Sequence, residues 1–324
     1  MIGTTVQIIP LTDAPQLALR DVWGETLVEL AARYPDLVVL DGDLANSTKA
    51  DIFQKAYPDR FIETGIAEQN MIGVAAGLAT VGFVPWISTF AAFVAKRALD
   101  QIRIVVAQPH LNVKLCGSYS GILTGKTGKT HQSVEDIAVF RAMPGMVTLA
   151  PADGHELRAM MHTMMEFDGP MYLRLTRDPS PAVFPNDYRF EIGRAALLRD
   201  GMDVGIVSTG VQTIRALEAA ELLAEIGLHA AVLHVPTLKP LDEDAIVAMA
   251  ERTGAIVTAE DHSIIGGLGG AVAETLAEHL PTRMKRIGIQ DTFGESGSNE
   301  AILEKYGLTA RHVADAAVAL VEGR

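Results

Sequence analysis

The residues of this chain that could do chemistry begin with a carboxylate and a pair of aromatics. Glu68 opens the segment AEQNMIGVAAGLAT at residues 67–80. Taken alone, a Glu in the first turn of a helix complements the helix dipole and nothing more. Phe90 and Phe93 stand three residues apart and so share one face at the entry of a helical stretch; two core aromatics produce the same spacing. His131 lies in a Thr-His-Gln loop, and no second His or Cys sits at metal-ligand spacing, so no metal site is expected on this chain. Three further signals are weaker. Asp41-Gly42-Asp43 follows an apolar run and reads as a metal-binding pair or as a strand-end turn. GGLGG at residues 266–270 lacks the GxGxxG spacing and a following acidic strand end. TGKTGKT at residues 124–130 has the residue types of a phosphate loop, but a His follows where a helix should start.

Short apolar runs alternate with longer helical patterns, which predicts βαβ units and a parallel sheet. Strands are expected at 37–40, 84–88, 111–115, 146–150 and 172–175. Helices are expected at 19–33, 67–80, 92–107, 133–142 and 154–167. Residues 177–186 (RDPSPAVFPN) hold three prolines and no apolar period, and read as a linker. Beyond it the alternation restarts, with strands at 204–208, 230–234, 255–259 and 284–289 and helices at 212–226, 242–252 and 268–279. The expected fold is therefore α/β, two doubly wound domains, divided as 1–190 and 191–324. Gly73 and Gly77 lie one turn apart inside a helix, each at a cost of about 1 kcal/mol against Ala. A smooth face that admits another backbone, at a subunit contact or against its own sheet, would offset that cost.

Composition narrows the class. The 324 residues carry a net charge of −13, which repels phosphate backbones and argues against nucleic-acid binding. The single cysteine, Cys116, permits no intrachain disulfide and fits a reducing cytoplasm. No secretory signal and no apolar run of membrane-spanning length is seen, so neither export nor membrane insertion is expected.

The more specific signal is a set of segments in order: TGIAEQNMIG (64–73), STFAAFVAKRALDQIR (88–103), TGKTGKTHQSVEDIAVFRAMPGM (124–146) and GPMYLRLTR (169–177). Together they resemble the pyrimidine-binding domain of transketolases, and the residues after them resemble the transketolase C-terminal domain. The resemblance implies thiamine diphosphate as cofactor. It makes Glu68 the carboxyl group that shares a proton with the aminopyrimidine, Phe93 the ring that stacks on it, and Phe90 a wall of the same pocket. It makes His131 a contact for donor hydroxyls and proton transfers, and Arg20 and Arg177 the pair that grips a sugar phosphate, a role suited to guanidinium forks. The chain departs from the family at Lys96, where an aromatic is usual, at Tyr119, where a histidine is usual, and at Thr127, where an acidic residue is usual. The common pentose phosphates are therefore not the expected substrates; an anionic, branched or deoxy sugar is.

Whole transketolases begin with a diphosphate-binding domain that carries a GDG segment and, further on, an Asn, which hold magnesium and the diphosphate. No such pair occurs here. The resemblance thus implies the second subunit of a split transketolase, working with a separate N-terminal subunit that holds magnesium, in an α2β2 assembly. The implied reaction moves a two-carbon ketol unit from a ketose to an aldose. Two neighbouring readings are the β subunit of a 2-oxo acid dehydrogenase, opposed by THQ, VFRAMPGM and STFAAF, and a deoxyxylulose-phosphate-synthase-like enzyme. A subunit that only completes an assembly is opposed by the intact Glu68 and Phe93.

Overall fold

The computed structural model describes residues 2–323. Among the described residues a seven-stranded sheet forms the first half, in the spatial order Thr237–Lys239, Val147–Leu149, Met171–Arg174, Lys114–Ser118, Val84–Phe90, Leu37–Asp41, Phe61–Glu63. Every pair in it is parallel except the first. Its central strands, such as LVVLD, are buried along their whole length, as a sheet covered on both faces requires. The second half is a six-stranded sheet, ordered Thr4–Thr5, Ala196–Arg199, Ala230–His234, Val204–Ser208, Ala255–Ser263, Arg283–Ile289. Each half is thus an α/β layer, as the alternation predicts. An edge strand is exchanged between them: the first sheet takes Thr237–Lys239 from the second half, and the second takes Thr4–Thr5 from the first.

Several elements differ from expectation for identifiable reasons. The strand expected at 111–115 is Lys114–Ser118. Lys114 is wholly buried, and its ammonium donates to the Phe167 and Gly169 carbonyls at 2.8 and 3.0 Å. Burial pushes it down to about 7, against the opposing pull of Asp168. The long helix expected at 92–107 breaks into Ala91–Val94, Leu99–Gln101 and a wide turn Ile102–Ala107. The break releases Lys96 and Arg97 to pair elsewhere. The expected linker at 177–186 is structured: Ser180–Pro181 pairs with Gln16–Leu17, and Ala182, Val183 and Phe184 are fully buried. The GGLGG segment leads into the helix Leu268–His279, where both oxygens of buried Glu260 accept the Leu268 and Gly269 amides. A Cβ on Gly267 would fall 2.0 Å from Glu260 Oε2, so these glycines serve packing.

The halves meet across a buried polar junction. Arg174, at the end of a first-sheet strand, donates through Nε to Asp136 Oδ2 at 2.9 Å and through a terminal nitrogen to the Asp261 carbonyl of the second sheet. Tyr172 donates to the same Asp136 oxygen at 2.7 Å. Burial alone would raise the Asp136 pKa. The Arg174 charge, the nearby His262 and these hydrogen bonds outweigh burial and hold it below its ordinary value of 3.8. Asp136→Ala should cost about 3–5 kcal/mol in denaturant unfolding, because it strands a buried guanidinium. The depressed pKa gives stability that is complete above pH 3.8 and lost as pH falls below it. The variant should therefore show a shallower acid limb than the parent protein, and equal limbs would refute this account of the junction.

Candidate active site

All the sequence-named residues but Thr127 converge near the carboxyl ends of the first sheet's strands, where open parallel sheets bind ligands. Asp41 ends one strand. Its Oδ1 accepts the Leu44 amide at 2.6 Å, which makes DGD a strand-end turn with Asp43 at φ 62°. Burial lifts the Asp41 carboxyl to about 6, against the lowering hydrogen bond of Ser88. Phe90 ends the next strand, and the short helix Ala91–Val94 carries Phe93. Tyr119 follows the strand Lys114–Ser118, and Arg177 follows Met171–Arg174. Glu68 begins the helix Glu68–Thr80, and Arg20 lies in the first turn of Leu19–Arg33.

An aromatic floor joins these side chains. Phe90 stacks on Tyr119 with centroids 4.1 Å apart and lies 5.6 Å from Phe93. His131 stands edge-on to both phenylalanines, at 5.9 and 5.4 Å. Its Nδ1 is engaged with Thr130 Oγ1 at 2.8 Å, and Nε2 has no hydrogen-bond partner among the described residues. Glu68 is nearly buried, and its Oε1 accepts from Arg97 at 3.0 Å. The Arg97 guanidinium lies 4.0 Å from the centre of the Phe93 ring. A planar, N–H-bearing group therefore already rests on Phe93 while donating to Glu68. A planar group can thus lie on Phe93 with its edge at the Glu68 carboxyl, so the residues present fit the pyrimidine end of thiamine diphosphate. Sequence reading named Glu68 and Phe93 but missed Arg97. The available signal was its place four residues after Phe93, which puts the two on one helical face. Lys96, at the position of a usual aromatic, pairs instead with Glu135 at 2.7 Å.

The other end of the site is cationic. Arg20 donates to the Tyr119 phenol at 2.9 Å and to the Ser47 carbonyl at 3.1 Å. Arg177 lies 5.6 Å from the Tyr119 ring centre on its own side. A hydrogen bond with Tyr119 raises the Arg177 pKa against partial burial, and the Asp178 charge adds to the rise. The Nε atoms of both arginines are buried without a partner, two donors free for an anion. Thr127 stands apart from this group. Its hydroxyl turns back onto Thr124, accompanied by an exposed surface position. Among the described residues no group of three or more His, Cys, Asp or Glu side chains could hold a metal ion, and no helix is long and apolar enough to cross a membrane.

Tyr119 adopts φ 56°, a left-handed conformation disfavoured for a bulky side chain, and its ring and hydroxyl contacts hold it there. Tyr119→Phe should lose about 1 kcal/mol of stability through the Arg20 hydrogen bond. Tyr119→Ala should lose about 3–5 kcal/mol by removing the ring as well. Equal unfolding midpoints for the two variants would show that the ring does not anchor the floor.

Comparisons with known proteins show the family. Residues 15–181 match the family "Transketolase, pyrimidine binding domain", and residues 193–313 match "Transketolase, C-terminal domain". A putative transketolase C-terminal section of Methanocaldococcus jannaschii is 45% identical over 299 residues, covering 91% of this chain and 94% of that protein. The 6-deoxy-6-sulfo-D-fructose transketolase subunit of Clostridium sp. is 44% identical over 304 residues, covering 94% of each. A solved structure described as a split gene transketolase, inactive beta4 tetramer, superposes with a TM-score of 0.89 at 48% identity, over 94% of this chain and 99% of that one. The chain belongs to the transketolase family, transferases of ketol units, and to the members in which the pyrimidine-binding and C-terminal domains form a separate C-terminal section.

Proposed function

We propose that this chain is the catalytic subunit of a split transketolase, moving a two-carbon ketol unit from an anionic ketose to an aldose. The observation that carries the reading is the Glu68–Phe93 pair with a planar cation already seated on it. Bound there, thiamine diphosphate would supply a carbon nucleophile for ketol transfer. Glu68 holds a proton at the aminopyrimidine nitrogen, and Phe93 supports that ring from one face. Arg97 swings aside to let the ring in. Phe90 and Tyr119 close the floor and keep water off it. His131, with Nε2 free above the two phenylalanines, moves protons to and from donor hydroxyls. Arg20 and Arg177 bind the anionic end of the sugar, and Tyr119 stands between them. The Clostridium relative is named for a sulfonated ketose, which supports an anionic donor for this chain too.

A separate N-terminal subunit holds magnesium and the diphosphate in this reading, and the enzyme works in the cytoplasm as an α2β2 assembly. The relatives named as sections or subunits support the partner. So does the surface beside Glu68. Gly73 and Gly77 point outward, with nothing within 4 Å of an added Cβ, so they do not pack on their own sheet. Ile66 and Val81 flank them at 73% and 71% exposure. An apolar, glycine-lined strip next to the catalytic carboxylate suits a close backbone approach by a neighbouring subunit. Thr127, its hydroxyl held by Thr124, takes no part in this reading, and the domain division stays at 1–190 and 191–324.

Two tests follow. The purified chain with cofactor and magnesium should not transfer ketol units until the second subunit is added, and Glu68→Gln in the complex should lower kcat by about two to four orders of magnitude. Full activity of the chain alone, or carbon dioxide release from a 2-oxo acid, would sink the reading. Gly77→Leu meets open space within the chain, so its fold should survive while light scattering reports a smaller assembly. An unchanged assembly mass would remove this face from the interface.

A further inference from the structure

A carboxylate beside the anion end of the site has no part in the proposed function. Asp178 directly follows Arg177, and its Oδ1 accepts from the Arg177 Nη1 at 3.0 Å. Its Oδ2 accepts from the Asn299 side-chain amide at 2.6 Å. Asn299 is the first residue of the helix Asn299–Lys305 in the second half, and its Oδ1 in turn accepts the Gly125 amide at 3.1 Å. The Gly297 amide donates to the Gly125 carbonyl at 3.1 Å, and a Cβ on Gly125 would lie 2.6 Å from the Gly297 oxygen, so the two loops are fixed to one another. The carboxylate is therefore held at both oxygens, one of them by a neutral donor that leaves its charge intact.

The charges at this end can be counted. Arg20 and Arg177 contribute two positive charges and Asp178 removes one, which leaves one. Lys126 and Glu300 line the adjoining cavity of about 360 Å³ with Arg177, Asp178 and Asn299, and they offset each other. A phosphate monoester carries about 1.5 to 2 negative charges at neutral pH. A sulfonate has the same tetrahedral array of three oxygens and a single charge. The buried, unpartnered Nε atoms of Arg20 and Arg177 can serve either group. Only the dianion meets uncompensated repulsion from Asp178, and like-charge contact is an effective means of rejecting a near-isosteric competitor.

We propose that Asp178, held in place by Asn299, is a specificity-determining residue that fits the site to a sugar ending in a tetrahedral monoanion, a sulfonate, rather than a phosphate dianion. This rests on the reading of Arg20 and Arg177 as the anion-binding pair. The experiment compares two donors of one skeleton, 6-deoxy-6-sulfofructose and fructose 6-phosphate, with uncharged erythrulose as the control, in the complex with the diphosphate-binding subunit. The parent enzyme should favour the sulfonate in kcat/KM. Asp178→Asn should shift that ratio toward the phosphate by about tenfold, through KM, and leave erythrulose unchanged. Asp178→Ser should act in the same direction should the amide pack poorly. A parent enzyme that favours the phosphate overturns the proposal. So does an unmoved ratio in both variants while Arg177→Ala weakens both anionic donors. If Arg177→Ala leaves both anionic donors unaffected, the underlying anion-site reading fails and the proposal fails with it.

Discussion

The arrangement of this chain depends on a guanidinium buried where its two halves meet. Arg174 can stay charged there only because Asp136 neutralises it and the Asp261 carbonyl takes a further N–H. That second bond matters beyond its own energy. The Asp261 carboxylate accepts the Ile122 amide at 3.1 Å, and a Cβ on Gly121 would collide with it. The segment from Gly121 onward, which runs to His131, is thereby seated against the second sheet. His262 reinforces the seat from the next position, where its Nε2 meets the Ala138 amide at 3.4 Å. Burial keeps this imidazole neutral by lowering its pKa despite the Asp136 charge. The second half takes no direct part in holding an aminopyrimidine, yet it fixes the loop that brings the histidine to the aromatic floor.

Much of the fold was legible because parallel sheets write themselves as apolar runs. LVVLD and VGIVS needed no context to be read as strands. The misreadings share a cause: a polar or proline-bearing residue whose partner lies far away in sequence. Lys114 looks like a strand end until its two carbonyl partners, more than fifty residues on, are known. The proline-rich stretch looks like a linker until Phe184 is seen buried, with its amide on Asp153 and its carbonyl on His155. The break after Val94 is equally invisible, because the Gln69 side-chain amide that donates to the Arg97 carbonyl lies twenty-eight residues away.

The site divides in the same way. Glu68, Phe90, Phe93 and His131 were readable because their motifs are local and ordered; the structure clusters the three rings and links Glu68 to Phe93 through Arg97. Arg97, Asp178 and Asn299 were not, because each matters through a partner supplied by another segment. Arg20 and Arg177, separated by most of the first half, meet only through the Tyr119 side chain between them. Thr127 shows the reverse: a position with a family role whose hydroxyl, in this chain, is occupied by its own turn.

The exchanged edge strands have a consequence for how the molecule comes into being. The first sheet does not acquire its Thr237–Lys239 edge until over a third of the second half has been synthesised, and Thr4–Thr5 has no sheet to join until Ala196–Arg199 has formed. A ribosome-bound chain that has emerged only as far as residue 190 therefore carries an open sheet edge and an unplaced leading segment. Vectorial folding, one half completed before the next, is closed to this topology. Both sheets can close only once residue 239 is available, so the two halves complete one another rather than folding in turn.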